Sequence, residues 1–316
     1  MTLRALVLAA GLLAAAPAAA QEATLAVVGQ SGAVVHLLPV GEAGPSEGAE
    51  KIEVAELPAG IAVGPDGRSL YVTHPDRGRV TALDAVTRRP TANFAVKGQP
   101  FGIAATDEFA YLTDWTRSVV IKVDVLTGAT LAETPTGKSP AGIVLDKDGR
   151  RAYVAAREDN AVAIIDLRRG AEVGRIGVGK APFALALSPD GRRLYVANVQ
   201  SGDLSVIDVG SGQELKRLPV GKMPYGVAVT PDGKRIAVTL QHEDALAIVD
   251  AEKLERVAKV KIGSYPEGVA ILPDGKRAAA ANWFDDTVSL VDLDAARVVA
   301  TLPAPGGPRN LVALPQ

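Results

Sequence analysis

A proline recurs along this chain at a nearly constant interval. The successive spacings are 42, 40, 42, 42, 42 and 42 residues, and the prolines are Pro58, Pro100, Pro140, Pro182, Pro224, Pro266 and Pro308. A fixed period of this length indicates a repeat architecture in which each unit is one supersecondary element. We therefore expect one array or ring of small units, although a length of 316 residues would ordinarily indicate two domains.

Every unit has the outline of four short strands. The proline opens an apolar run, and a turn such as Pro189-Asp190-Gly191 follows. A Tyr-Val strand, a polar loop, an alternating strand ending in Asp and a last apolar strand complete the unit. Tight turns and alternating β-branched residues favour antiparallel strands over helices. The unit 100–139 is shorter and has Thr106-Asp107-Glu108 in place of the turn. Four strands in about 40–45 residues are typical of a β-propeller blade.

The number of units predicts seven blades. Residues 23–57 contain strand-like segments without an opening strand, and residues 308–316 are an opening strand with nothing after it. Together they complete one blade, and closing a ring with strands from both termini removes its free edges. The predicted fold is an all-β, seven-bladed β-propeller of four-stranded antiparallel blades, occupying residues 21–316 as one domain. The six complete units are residues 58–99, 100–139, 140–181, 182–223, 224–265 and 266–307.

The first 20 residues are predicted to be a cleaved signal peptide. Arg4 precedes an apolar stretch from Ala5 to Ala20 that ends in three alanines, which is the pattern of a secretory signal and is too short for a membrane span. We therefore expect a periplasmic protein without a membrane span. The chain contains no Cys, which excludes disulfides, thiolate metal sites and covalently attached c-type haem.

Charge and histidine content narrow the expected partners. The formal net charge is −2, the pI is near 6.0, and Lys and Arg form no block, so nucleic acid is not expected as a partner. The chain has three histidines, His36, His74 and His242. Only His74 and His242 lie in the predicted loops between second and third strands, which is too few for a metal site made of histidines alone, and no metal site is expected. We expect a monomer that binds an envelope protein or a small molecule.

The repeat motifs resemble those of a known family. Tyr-Val-Thr at 71–73, Tyr-Val-Ala-Asn at 195–198 and Val-Ser-Leu-Val-Asp at 288–292, together with the Pro-Asp-Gly turns, are similar to the YVTN-repeat β-propellers, including the periplasmic YncE-like group. This resemblance implies a non-catalytic module that binds a ligand or protein through one face of the ring. Some relatives accompany periplasmic quinone-dependent dehydrogenases, so the resemblance also implies an accessory role in a periplasmic redox system.

The repeats differ from one another at two positions, and function is expected there. In propellers the residue after the opening proline and the loop between the second and third strands meet around the mouth of the central channel. We therefore predict a mixed apolar and polar ligand site at this mouth. The predicted residues are Phe101, Phe183, Tyr225, Glu267 and Arg309 at the first position and His74, Asp114, Trp115, Arg157, Asn198, His242, Asn282 and Trp283 in the loops.

Two other functions remain open from the sequence. No catalytic motif is present, but a lactonase-like propeller enzyme acting on a small lactone or carboxylate would use Glu267, Arg309 and His74, with Arg309 stabilising an anion and Glu267 or His74 moving a proton. The repeats are also similar to those of haem d1-binding propellers, which would require His74 or His242 as an axial ligand. No cofactor is expected, with haem and quinone as the two alternatives.

Overall fold

The computed structural model describes residues 23–41 and 44–314, and these residues form seven antiparallel sheets arranged as a ring. The predicted signal peptide lies outside the described residues. We number the blades from 1, the blade shared by the two termini, to 7 in chain order. The seven-bladed propeller predicted from the sequence is confirmed, and so is the shared blade. Within the described residues, no helix has the length and hydropathy of a membrane span.

Each blade has four strand positions, counted outwards from the ring axis. From blade 2 to blade 7 and then blade 1, the first strands are Ile61–Val63, Pro100–Ala105, Pro140–Leu145, Pro182–Leu187, Pro224–Val229, Pro266–Ile271 and Pro308–Leu314. The second strands are Ser69–His74, Phe109–Asp114, Arg151–Ala156, Arg193–Asn198, Arg235–Leu240, Arg277–Asn282 and Ala23–Gly29.

The outer two positions follow the same order. The third strands are Arg79–Asp84, Val119–Asp124, Ala161–Asp166, Asp203–Asp208, Ala245–Asp250, Thr287–Asp292 and Val34–Gly41. The fourth strands are Arg89–Ala95, Thr130–Pro135, Ala171–Gly177, Gln213–Pro219, Glu255–Lys261 and Arg297–Pro303, and in blade 1 the short segments Gly44–Pro45 and Glu50–Glu53 take this place. Short 3-10 helices occupy four of the loops between second and third strands, at Pro75–Arg77, Arg157–Asp159, Gln241–Glu243 and Trp283–Asp285.

Both termini contribute to blade 1. The C-terminal strand pairs with Ala23–Gly29 in antiparallel register, with Leu311 opposite Val27 and Ala313 opposite Leu25. Pairing the first and last parts of the chain in one sheet closes the ring without leaving an open blade edge.

Apolar packing between blades holds the ring together. The described residues contain seven buried apolar clusters, and each joins two neighbouring blades. Tyr195 and Leu204 of blade 5, for example, pack on Ile236 and Val249 of blade 6. Because neither face of a blade is large enough to form a core alone, each blade is stabilised only when it contacts its neighbours.

A buried threonine links some neighbouring blades near the axis. The Thr73 hydroxyl accepts a hydrogen bond from the Gly60 amide (2.9 Å) and donates one to the Phe101 carbonyl of the next blade (2.7 Å). Thr113 and Thr239 make the same pair of bonds in blades 3 and 6. The Thr of the Tyr-Val-Thr motif therefore fixes the position of the residue that follows the next opening proline.

Candidate functional site

A cavity of about 210 Å³ lies on the ring axis. All seven first strands line it, which identifies it as the central channel. Its wall consists mainly of glycine and aliphatic residues, with Arg309 and Asn310 from the C-terminal strand. The channel is therefore narrow and largely apolar, and Arg309 is the one charged residue in its described lining.

A second cavity of about 280 Å³ opens beside the channel. Pro75, Asp76 and Trp115 from the loops between second and third strands line it, so it lies on the face that carries these loops, which we call the upper face. We call this cavity the vestibule. Four residues line both the vestibule and the channel, which places them where the two cavities meet: Ala59, Phe101, Phe183 and Arg309.

Aromatic rings form a continuous row at this junction. Trp115 contacts Phe101 (ring centroids 5.4 Å apart), Phe101 contacts Phe183 (5.6 Å) and Phe183 contacts Tyr225 (4.0 Å). The tilted and edge-on geometries are those that aromatic pairs prefer. Three of the four residues follow an opening proline, so the repeat itself brings them to the axis.

Arg309 lies between two aromatic side chains and a buried carboxylate. Its guanidinium carbon is 5.8 Å from the Phe101 ring and 5.3 Å from the Trp283 ring, within cation–π range. Its Nε lies 3.1 Å from Glu267 Oε2, and the Tyr225 hydroxyl also interacts with it. The Arg309 side chain is 20% exposed, whereas that of Glu267 is 2% exposed. The cation is therefore the member of the pair that a ligand can reach.

Glu267 is an unusual carboxylate. Burial raises its pKa to about 7, although the charge of Arg309 and a hydrogen bond from Gln241 Nε2 (3.1 Å) act in the opposite direction. Within the described residues, neither Glu267 Oε2 nor Gln241 Oε1 accepts a hydrogen bond. An ion pair that lacks a well-aligned hydrogen bond offsets only part of the cost of burying the charge, which explains the raised pKa.

A second aromatic cluster adjoins Arg309 on the upper face. Tyr265 contacts Trp283 (5.8 Å), Phe284 (4.8 Å) and His242 (6.2 Å). Phe284 is 67% exposed. Tyr265, Phe284 and Gln241 are not among the residues predicted for the site. Their positions in the repeat could have indicated them. Tyr265 directly precedes an opening proline, and Gln241 and Phe284 are adjacent to the predicted residues His242 and Trp283.

Four of the predicted loop residues lie inside their own blades. His74, Asp114, Asn198 and Asn282 are completely buried, because each ends a second strand and faces the segment that enters its blade from the preceding one. A Cβ on Gly263 of that segment would lie 2.5 Å from the Asn282 amide nitrogen. The structure therefore does not bring these four residues to the vestibule or the channel.

The buried polar groups of these four residues bind within the blade. Asn198 Nδ2 donates to Asp203 Oδ1 (2.7 Å) and Ser205 Oγ (2.8 Å), and Asn282 makes two equivalent bonds in blade 7. Asp114 accepts hydrogen bonds from three backbone amides. These bonds hold the end of the second strand to the third strand, to the loop between them and to the segment that enters the blade.

His74 is bound within blade 2. Its Nδ1 lies 3.2 Å from Glu56 O and its Nε2 lies 2.9 Å from Thr81 Oγ1. Burial, together with the nearby charge of Arg79, lowers its pKa to about 4. The structure therefore does not bring His74 to Glu267 and Arg309, and the three-residue site predicted for the lactonase alternative is not formed.

The remaining predicted residues lie at the rim. The Arg157 guanidinium carbon is 5.8 Å from the Trp115 ring. His242 is exposed and lines a groove farther from the axis. Of the described residues that line the channel and the vestibule, none is a histidine, so this lining does not fit an axially ligated haem at the mouth.

The acidic side chains of the upper loops bind backbone amides. Asp159, Glu243 and Asp285 accept hydrogen bonds from the amides of Lys138, Lys222 and Ser264, at 3.0, 2.7 and 2.7 Å. These bonds fasten the loops to the segments that cross between blades. Among the described residues, no group of three or more His, Cys, Asp or Glu could hold a metal ion.

Two family models match parts of the chain. The YNCE-like beta-propeller model matches residues 194–313, and the lactonase model, described as a 7-bladed beta-propeller, matches residues 122–219. The chain is a seven-bladed propeller that is similar to the YNCE-like and lactonase propellers over these ranges. This confirms the family resemblance seen in the repeat motifs. The lactonase match ends before Glu267 and Arg309, whereas the YNCE-like match includes both.

Solved structures also resemble this propeller. A chain of the hydrazine synthase from Kuenenia stuttgartiensis is 25% identical, with 81% of this chain and 89% of that chain covered and a TM-score of 0.75. A functionally unknown protein from Desulfotomaculum acetoxidans DSM 771 is 14% identical, with coverage of 91% and 98% and a TM-score of 0.80, which shows the shared fold. No curated protein matches the chain.

Proposed function

We propose that this chain is a non-catalytic binding propeller that holds a small organic anion with an apolar, aromatic body at the mouth of its channel. The observation that carries the proposal is the junction of the two cavities. There, the partly exposed guanidinium of Arg309 lies beside the rings of Phe101 and Phe183. A concave site with mostly apolar walls and one well-placed charge is typical of small-molecule recognition.

The chemistry of the site indicates which part of the ligand goes where. An aromatic or other planar body would lie in the vestibule against Trp115 and Phe101, which are already in contact. A carboxylate would bind the exposed edge of Arg309, since a guanidinium forms strong charge-assisted hydrogen bonds with carboxylates. Glu267 lies behind Arg309 and orients it.

The cellular setting is part of the proposal. Residues 1–20 have the pattern of a signal peptide, so we place the protein in the periplasm. The similarity to a chain of a hydrazine synthase supports an accessory role beside a redox enzyme. The mass of the mature protein, isolated from the cell envelope, tests the location, because cleavage after Ala20 would leave residues 21–316.

Isothermal titration with three simple probes tests the binding site. Benzoate, phenylacetate and 3-phenylpropanoate combine a ring with a carboxylate at increasing distance. We expect at least one of them to bind saturably, and 3-phenylpropan-1-ol to bind at least tenfold more weakly. Arg309→Gln should reduce the affinity for the carboxylate by tenfold or more. The control is Arg192→Gln, at an exposed arginine in the turn between the first and second strands of blade 5, which should leave the affinity unchanged.

Lack of saturable binding for all three carboxylates at millimolar concentration would contradict the proposal. Equal affinities of the Arg309→Gln and Arg192→Gln proteins would contradict the assigned site. The double variant Glu267→Gln/Arg309→Gln serves as a second control, because it leaves neither charge of the pair buried and unpaired.

A lactonase-like activity is the second candidate, favoured by the family match over residues 122–219. In this case Arg309 would stabilise the anion that forms when the lactone opens, without help from His74. Glu267, whose pKa lies at about 7, would have to become accessible beside Arg309 to transfer a proton. Hydrolysis of glucono-δ-lactone in a pH-stat tests this candidate. The candidate requires that the protein hydrolyse the lactone faster than the spontaneous reaction does. It also requires that Glu267→Gln lower this catalysed rate by at least a hundredfold.

A further inference from the structure

A groove of about 750 Å³ crosses the upper face at blades 4 to 6, away from the channel. It lies between the loop that follows the second strand of blade 5 and the segment that crosses from blade 5 to blade 6. It is larger than the channel and the vestibule, and none of its lining residues lines either of them. The groove is therefore a separate feature of the upper face.

The lining of this groove is basic. Arg157, Lys222 and Arg256 contribute three cations from blade 4, the blade 5 to blade 6 crossing and blade 6, and no carboxylate belongs to the lining. Arg157 forms an ion pair with Glu158. In the described part of the chain, no carboxylate oxygen lies within ion-pair distance of Lys222 or Arg256. This local excess of positive charge contrasts with the net charge of −2 for the whole chain.

Glu243, which follows His242 of the lining, already binds other groups. Glu243 Oε1 accepts a hydrogen bond from the Lys222 amide (2.7 Å), and Glu243 Oε2 pairs with Lys259 Nζ (2.5 Å). Arg256 donates to the Val220 carbonyl (2.6 Å), which holds its guanidinium over the crossing segment. The Arg256 guanidinium and the Lys222 backbone are thus held in position. Both residues are exposed, and among the residues that the structure describes neither side chain forms an ion pair.

The remainder of the lining is suited to a polypeptide. Val199, Pro219 and Met223 give the groove an apolar part, and Gln200 and Ser201 supply exposed polar groups. Three cations spread over neighbouring blades match carboxylates that recur along an extended chain, whereas a small anion would need convergent donors. A long polyanion such as nucleic acid would meet the net negative charge of the whole protein.

We propose that this groove, lined by Arg157, Lys222 and Arg256, is a docking site for an extended acidic segment of a partner protein. Carboxylates of the segment would pair with the cations, and its apolar side chains would contact Pro219 and Met223. Charge complementarity of this kind increases the rate of association and selects the partner, and it weakens as ionic strength rises.

Fluorescence anisotropy with a labelled octapeptide of alternating glutamate and leucine tests the proposal. We expect saturable binding at low salt and an affinity at least tenfold lower for the Lys222→Glu protein. Lys222 is exposed, so this variant should fold normally, which a thermal unfolding curve checks. The matched control is Lys234→Glu, in the exposed turn of blade 6 on the opposite face, which should bind the peptide within twofold of the unmodified protein.

Three results would overturn the proposal. The first is no saturable binding of the acidic peptide at low salt. The second is an equal loss of affinity in the Lys222→Glu and Lys234→Glu proteins, which would assign binding to overall charge. The third is tighter, Lys222-dependent binding of a dodecathymidine oligonucleotide, which would make the groove a nucleic-acid site. Binding of the aryl carboxylates is independent of this groove and should be unchanged by Lys222→Glu.

Discussion

Arg309 Nε and Glu267 Oε2 lie 3.1 Å apart at the mouth of the channel, but the carboxylate oxygen accepts no hydrogen bond among the described residues. Burial therefore dominates the ionisation of Glu267 and raises its pKa from 4.5 to about 7. Near neutral pH, gain or loss of the Glu267 proton therefore changes the net charge of the site by one unit. Both the stability of the protein and its affinity for anions should depend on this proton.

The stability contribution of Glu267 should decrease as pH rises. Because its pKa is higher in the folded state than the ordinary value of 4.5, the folded protein binds more protons between pH 4.5 and about 7. The free energy of unfolding contributed by this group therefore falls across that window, by about 3 kcal/mol in total. Urea unfolding of the unmodified and Glu267→Gln proteins at pH 5 and pH 8 measures it. The difference between them should shift by this amount, and a constant difference would contradict the assignment.

His74 should have the opposite effect. Burial lowers its pKa from 6.5 to about 4, so the unfolded chain binds more protons in this range and the stability contribution is lost as pH falls from 6.5 to 4. The expected loss relative to a His74→Gln protein is again about 3 kcal/mol. Denaturant titrations at pH 4.5 and pH 7 give the comparison. Because the two groups act in opposite directions, the unmodified protein should show a flatter pH profile than either variant.

Anion affinity should be higher at pH 6 than at pH 8. Protonation of Glu267 below its pKa of about 7 removes the negative charge beside Arg309 and leaves the guanidinium uncompensated. An aryl carboxylate stays ionised over this range, so we expect its affinity to rise by about fivefold, corresponding to about 1 kcal/mol. In the Glu267→Gln protein the affinity should be the same at both pH values. An affinity that changes equally with pH in both proteins would assign the effect to another group.

The close approach of the first strands makes Gly60 sensitive to substitution. A Cβ at this position would lie 2.5 Å from the Phe101 carbonyl oxygen and 2.9 Å from Thr73 Oγ1, the two atoms joined by the link between blades. Gly60→Ala should therefore reduce the free energy of unfolding by about 3 kcal/mol and displace Phe101 at the mouth. Gly177→Ala is the matched control, since nothing lies within 4 Å of its added Cβ. Similar unfolding curves for the two variants would show that the strands can separate without cost.

The period of the prolines was sufficient to predict the ring, because a propeller blade repeats its strand order and each blade contacts only its neighbours. It also located part of the mouth. Phe101, Phe183, Tyr225 and Arg309 occupy one position of the repeat, directly after an opening proline, and a ring must bring equivalent positions of its first strands together around the axis.

The second predicted position, at the start of the loop between the second and third strands, is buried within the blade, and the repeat alone does not show why. The last residue of a second strand is followed at once by the loop, so a polar residue such as Asn198 has the pattern of a loop residue in the sequence. In the fold the strand still controls its direction, and its amide faces Asp203 and Ser205 of the next strand. Trp115 and Trp283 lie one residue farther along and therefore reach the upper face.

Tryptophan fluorescence during titration with 3-phenylpropanoate tests the central claim most directly. The only two tryptophans of the chain, Trp115 and Trp283, lie at the mouth, the first lining the vestibule and the second 5.3 Å from the Arg309 guanidinium. If the mouth is the binding site, the emission should change saturably with probe concentration, and the change should disappear in the Arg309→Gln protein. Saturable binding by calorimetry without any change in emission would place the ligand elsewhere and contradict the account.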